Sequence, residues 1–260
     1  MTLLDATPAA APAAASRTAG FYARIGKRAI DLLLVAPALP LALRIGLPIA
    51  AWNAFAFRSL RRVFFVQDRV GLGGRTFRMV KFRTMREPRR SAADSWFSGA
   101  DTARVPRFGR FLRNAHLDEL PQLLNVLRGD MHLVGPRPEM LDVHAWACAE
   151  VPGFERRLAV RPGLTGHAQI TQGYAAASTE CYAQKLLLDL EYTNRLSVRA
   201  DRGSVLRTVP WVLRGRGWIG GKGPACTAGS APTAELTPPI AAAPAAAREP
   251  DRERAYADAA

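Results

Sequence analysis

The stretch AIDLLLVAPALPLALRIGLPIAAWNAFAF, Ala29 to Phe57, is an almost unbroken apolar run, and it restricts what the chain can become more than any other feature. As one helix it would be long enough to cross a hydrocarbon core of about 30 Å. Three features oppose a simple span. Arg44 sits near the middle, where a charge costs about 2.5 to 3.5 kcal/mol on insertion scales. Pro37, Pro40 and Pro48 each remove a backbone donor, so a kink or break is expected. Both flanks are basic, with Arg24, Lys27 and Arg28 before the run and Arg58, Arg61 and Arg62 after it, so both ends prefer the same side of a membrane. A re-entrant helix-break-helix that enters one leaflet and returns satisfies all three. A single span satisfies only the length, and a buried core helix of a soluble protein is the remaining reading.

Charge supports a surface partner of opposite sign. The chain carries a formal net charge of +14, which draws it to nucleic acid, membrane surfaces or phosphorylated small molecules. Basic residues crowd Arg58 to Arg90, where only Asp68 and Glu87 are acidic; beside a membrane segment this density reads as a footprint on anionic lipid. Within it, VFFVQDRVGLGGRTFRMVKFRTM predicts two strands joined by a glycine turn. The glycines alone say little about phosphate, since no GK[ST] follows. Lys81 and Arg83, at the end of the second strand, are better placed to meet a ligand. The three cysteines, odd in number and widely spaced, suggest neither a disulfide framework nor a zinc site, and a reducing location fits them. Residues 1–20 lack the basic start of a signal peptide and read as a disordered Ala/Pro leader; residues 219–260 read as a disordered Ala/Pro tail.

Two adjacent carboxylates, Asp118 and Glu119, open the run LDELPQLLNVL. Leu117, Leu120, Leu123, Leu124 and Leu127 recur at helical spacing and Pro121 suits only a first turn, which predicts a helix from about Asp118. On structural grounds alone, Asp118 is an N-cap and Glu119 a first-turn acid favoured by the helix dipole. A helix N-terminus is also where phosphates bind, and Arg110, Arg113 and Arg137 lie close in sequence. A carboxylate among these groups is expected to have a depressed pKa, to stay ionised, and so to be able to attack phosphorus. Carboxylate and diphosphate repel each other unless cations intervene, a need that a divalent metal on the second carboxylate would meet. The residues point to phosphoryl chemistry near a membrane.

The segments GKRAIDLLL, FFVQDRVGLGGRTFRMVKFRTM, LDELPQLLNVLRGDMHLVGPRPE and RPGLTGHAQI, in this order, resemble the bacterial sugar transferase family, the monotopic phosphoglycosyl transferases that initiate glycan assembly on polyprenyl phosphate. The resemblance covers roughly Lys27 to Leu213. It implies an α+β, helix-rich fold: a re-entrant membrane helix hairpin over 21–62, then a cytosolic domain over 63–218 with a small β-hairpin, a catalytic helix and amphipathic helices at the membrane interface. The implied reaction moves sugar-1-phosphate from a UDP-sugar to undecaprenyl phosphate, releases UMP, and starts exopolysaccharide or related synthesis at the cytosolic face of the bacterial inner membrane. By the same resemblance Asp118 is the nucleophile that forms a covalent phosphosugar, Glu119 holds Mg²⁺, and Lys81, Arg83, Arg113, Arg137 and Arg161 are the phosphate-binding candidates. Anionic lipid is an implied partner, later glycosyltransferases are possible ones, and nucleic acid is not.

The late segment also resembles the family's end, with Trp211 and Trp218 among Arg207, Arg214 and Arg216 as an interfacial element. Asp189 and Asp201 match recurrent acidic positions without an expected catalytic role. Departures from the family pattern are Leu47-Pro48 where a Ser-Pro pair is common, His167 where Trp is common, and His132 in place of a small residue. The four histidines are expected to be non-catalytic, because no pair has metal-ligand spacing. A conventional glycosyltransferase releasing UDP is the competing enzyme, disfavoured because no DxD triplet is present. A basic nucleic-acid-binding module is the competing non-enzyme.

Overall fold

The computed structural model describes residues 20–86, 104–173, 175–176 and 178–213. The expected leader, apart from Gly20, and the expected tail lie outside them, as do Trp218, Arg214 and Arg216. After a π-turn at Tyr22–Gly26, helix α1 runs over Lys27–Ala56. The expected break is absent: α1 continues through Pro37, Pro40 and Pro48 as one helix. All three prolines, like Arg44, lie on its exposed face, so their lost donors leave the packed side intact. That packed side is a single stripe of Lys27, Asp31, Val35, Gly46, Ile49 and Asn53, spaced by three, four or eleven residues, about one or three whole turns, as one helix face requires. Leu33, Leu41, Leu43, Leu47 and Phe55 project outward. Among the described residues this is the one helix long and apolar enough to cross a membrane.

Of the basic residues before the run, Lys27 and Arg28 bond to the protein rather than lie on a lipid surface. Lys27 is 2% exposed and pairs with Asp201, also donating to Tyr192 Oη at 2.9 Å. Asp31 accepts from the His132 ring. Arg28 donates to the carbonyls of Val126 and, at 2.6 Å, Leu127. At the far end, the Asn53 amide donates to the carbonyls of Val63 and Arg83 at 3.1 and 3.0 Å. Both ends of α1 are thus bonded to the same body.

The glycine hairpin forms as its alternating pattern requires. Strands β1 (Phe64–Val70) and β2 (Thr76–Phe82) pair antiparallel in the register Phe64 to Phe82 through Val70 to Thr76, and Gly73 takes a φ of 61° in the connection, where a side chain would be strained. Helix α2 (Arg107–Asn114) leads to a 3-10 turn at Leu117–Glu119 and then α3 (Gln122–Arg128). The predicted helix start at Asp118 is corrected by this turn. Pro121 has no N–H to close an α-helical bond, so Glu119 and Leu120 bond back to His116 and Leu117 instead. Strand β3 (His132–Val134) pairs in parallel with β4 (Gly163–Thr165), a pairing the sequence patterns do not announce. Helices α4 (Leu141–Glu150), α5 (His167–Gln172), α6 (Thr179–Asn194) and α7 (Val198–Leu213) complete the body.

Three apolar clusters hold these pieces. Ile49 of α1 meets Val63, Phe82 and Leu112; Val35 meets Val126 and Met131; Val143, Phe154, Tyr182 and Leu186 close the far side. Each fully buried large side chain contributes about 1.5 to 3 kcal/mol, so α1 is part of the core that positions α3. Among the described residues Cys148 is a free cysteine.

Candidate active site

The acidic pair lies where β2, the 3-10 turn and the loop after β3 meet. Both carboxylates are 8% exposed. Lys81, near the end of β2, places its Nζ 2.8 Å from Glu119 Oε1. Arg137, in the loop Gly135–Glu139, donates from Nη2 to the same oxygen at 2.6 Å and from Nη1 to Gln169 Oε1 at 3.4 Å. The register of Lys81 is set by a residue that motif reading missed. Asn125 on α3 is fully buried, accepts the Val80 N–H at 3.1 Å and donates to the Arg78 carbonyl at 2.7 Å. It satisfies the edge of β2 as a neighbouring strand would, which holds Lys81 over Glu119.

Arg113 lies beside the pair without bonding to it. Its Nε donates to Thr84 Oγ1 at 2.9 Å, and its charge acts on Asp118. Close packing brings α2 there, since a Cβ on Gly109 would fall 2.2 Å from the Thr84 carbonyl oxygen. Two further expected phosphate ligands make no hydrogen bond to the acidic pair. Arg83 donates to the Arg62 carbonyl and stacks over Phe65. Arg161 acts on His132, in the seam under α1. Arg110 is exposed on α2.

The two acids have opposite electrostatic fates. Burial alone would raise the Glu119 pKa, but Arg137 and Lys81 outweigh it and hold the group well below the usual carboxylate range. Asp118 was expected to be depressed and is instead raised to about 6, first by burial and then by the negative charge of Glu119. Of the arginines expected to lower it, Arg137 is engaged by Glu119, Arg113 bonds Thr84 and Arg110 is exposed. The N-cap position of the turn is His116, not Asp118, and among the described residues the Asp118 carboxylate has no hydrogen bond or ion pair. Just before the pair, His116 adopts a left-handed φ of 54°, a conformation uncommon outside glycine that marks strain retained at a site. Burial lowers the pKa of its ring.

The profile of the bacterial sugar transferase family matches residues 22–215, three quarters of the chain. The chain belongs to the bacterial sugar transferase family. It is 43% identical over 188 residues to a UDP-glucose:undecaprenyl-phosphate glucose-1-phosphate transferase of Caulobacter vibrioides, covering 72% of this chain and 69% of that one. It is 37% identical over 191 residues to a UDP-N-acetylgalactosamine-undecaprenyl-phosphate N-acetylgalactosaminephosphotransferase of Aeromonas hydrophila, covering 74% of this chain but only 44% of the relative. With the exopolysaccharide production protein ExoY of Sinorhizobium fredii the identity is 35% over 208 residues, covering 74% and 88%. Membership makes this sugar transferase an enzyme.

The donor set of the sugar transferase limits how a metal could be held. Among the described residues no three His, Cys, Asp or Glu side chains group as metal ligands. The pair itself suits a hard cation of the Mg²⁺ kind, which commonly takes one or two carboxylates and completes its shell with substrate phosphates and water. Glu119 is the carboxylate within reach of such sharing, and its present partners Lys81 and Arg137 would have to share it.

Proposed function

We propose that the protein transfers sugar-1-phosphate from a UDP-sugar to undecaprenyl phosphate through a covalent phosphosugar on Asp118, releasing UMP. The observation that carries this reading is the inequality of the pair: Glu119 is bound by two cations, whereas the Asp118 carboxylate has no hydrogen bond or ion pair among the described residues. In the first step an Asp118 oxygen bonds to the sugar-bearing phosphorus, and the bond to the bridging oxygen breaks, so UMP departs with its electron pair. In the second, a phosphate oxygen of the lipid attacks the same phosphorus and Asp118 is released. Lys81, Arg113 and Arg137 hold the phosphates and offset the repulsion between carboxylate and diphosphate. Mg²⁺ held by Glu119 would neutralise further phosphate charge.

The proposed location is the cytosolic face of the bacterial inner membrane, with α1 entering one leaflet and both of its ends staying on the cytosolic side. What supports this is that Lys27, Asp31 and Asn53, at opposite ends of α1, bond to the same body that carries the acidic pair. The outward apolar face of α1 and the exposed Phe111, Leu206 and Val209 suit contact with lipid. Exopolysaccharide or related glycan synthesis, with later glycosyltransferases as neighbours in the sequence of reactions, is the setting.

The test is to incubate detergent-extracted protein with Mg²⁺ and a panel of UDP-sugars, without acceptor, and to follow intact mass and nucleotide. A mass increase of one sugar phosphate together with UMP, lost on adding undecaprenyl phosphate, is the expected result. UDP as the nucleotide released would remove Asp118 from its role. A reporter at the C-terminus exposed to the periplasm would overturn the one-leaflet placement.

A further inference from the structure

Arg137 reaches Glu119 from a loop whose backbone is fastened at every carbonyl. Pro136 O accepts from Gly163 N at 2.9 Å, and Glu139 O accepts from Val70 N at 3.1 Å. The two carbonyls between them are met by side chains. Arg157 Nη2 donates to Arg137 O at 2.6 Å, and Arg69 Nη1 donates to Pro138 O at 3.1 Å. Four successive acceptors therefore have donors from three separate stretches of chain, and two prolines stiffen the loop further.

Arg157 is the costly member of this set. It is 2% exposed, its Nε donates to Asp189 Oδ2 at 2.8 Å, and its guanidinium lies over the Phe154 ring at 5.1 Å. Asp189 is 1% exposed. A buried ion pair of this kind is a weak source of stability, because desolvating both charges offsets their attraction, and apolar replacements of similar volume often do as well. An apolar replacement could not donate to the Arg137 carbonyl. The forked guanidinium serves both acceptors at once, which one ammonium cannot do with the same geometry.

We propose that Arg157, oriented by Asp189, is a positioning residue: it fixes the main chain of Arg137 so that the Arg137 side chain meets Glu119 and the substrate phosphates. This rests on the reading of Arg137 as a phosphate ligand. Arg157 forms none of its hydrogen bonds with the acidic pair, and it acts through Arg137.

The experiment is a double-mutant cycle on the full chain, combining Arg157→Lys with Arg137→Ala. It is read as kcat/KM for UMP release and, independently of turnover, as UMP affinity by calorimetry. Arg157→Lys keeps a cation beside Asp189 and should lower kcat/KM by about 10- to 100-fold and weaken UMP binding, but cost less than about 3-fold more when Arg137 is already Ala. Val143→Ala, in the apolar cluster on the far side and matched for loss of thermal stability, should leave kcat/KM within about 3-fold of the parent. Full multiplicative loss in the Arg137→Ala background, or an equal loss in Val143→Ala, would overturn the positioning role and leave the phosphate reading standing. Parent-like rate and UMP affinity in Arg137→Ala itself would overturn both.

Discussion

Two buried ionic centres of this protein use the same residue types to opposite ends. In the seam under α1, Lys27, Asp201 and Tyr192 form a closed set, as do Asp31 and His132. At the acidic pair, Glu119 takes both Lys81 and Arg137 while Asp118 takes neither. A closed set is a fastening, because every charge has given up its reactivity to a neighbour. The open set leaves the Asp118 carboxylate without a side-chain partner among the described residues, as its proposed role as nucleophile requires. Burial is similar in the two places, so it is the count of partners, rather than depth, that separates structure from chemistry.

The sharpest way to break the comparison is Asp118→Asn. Turnover should fall by about 10⁴ or more, while the melting temperature rises, because a buried unpaired charge beside a second carboxylate is removed. Parent-like activity would end the distinction between the centres. Asp201→Ala should do the reverse: it strands the Lys27 ammonium and costs about 3 to 5 kcal/mol in denaturant unfolding, with kcat per folded molecule nearly kept. Loss of kcat without loss of stability would make the seam part of the chemistry.

Acid sensitivity separates a further fastening. Burial alone would raise the pKa of Glu139, but Lys185 and Arg157 lower it from 4.5 to about 2. A carboxylate depressed in the folded state contributes stability that is present above its ordinary pKa and lost as pH falls through its folded value. Glu139→Gln should therefore lower the melting temperature at neutral pH and flatten its fall between pH 4.5 and 2. An unchanged slope in a thermal scan across that range would count against the assignment. The smallest effect is expected for Arg83→Ala, whose side chain lies against Arg62 and Phe65; kcat/KM should stay within about 3-fold, and a loss comparable to that of Lys81→Ala would return Arg83 to the phosphate site.

Much of this was legible where one stretch of chain carries the whole signal. The hairpin could be read from Val, Phe and Thr around GLGG, and the acidic pair from its motif, because both are local. The behaviour of α1 was not, because counting prolines does not say which face they occupy. The stripe of Lys27, Asp31, Val35, Gly46, Ile49 and Asn53 was present in the spacing, but its polar members looked like a membrane flank until Asp201 and His132 were seen opposite them. Asn125 and Arg157 act on carbonyls 47 and 20 positions away, a separation that only the fold closes. The direction of the Asp118 shift was misjudged for the same reason, since the division of cations between two neighbouring acids is a matter of where Lys81 and Arg137 end.

The Arg28 guanidinium closes the last turn of α3 by taking the Val126 and Leu127 carbonyls, and the 3-10 turn that carries Asp118 lies just before the other end of that helix. With only seven residues in α3, about 10 Å of stiff rod separates the two. Mechanically, α1 and α3 are joined through that cap, so on the proposed placement of α1 in one leaflet a change in its tilt would reach the acidic pair through a short rigid link.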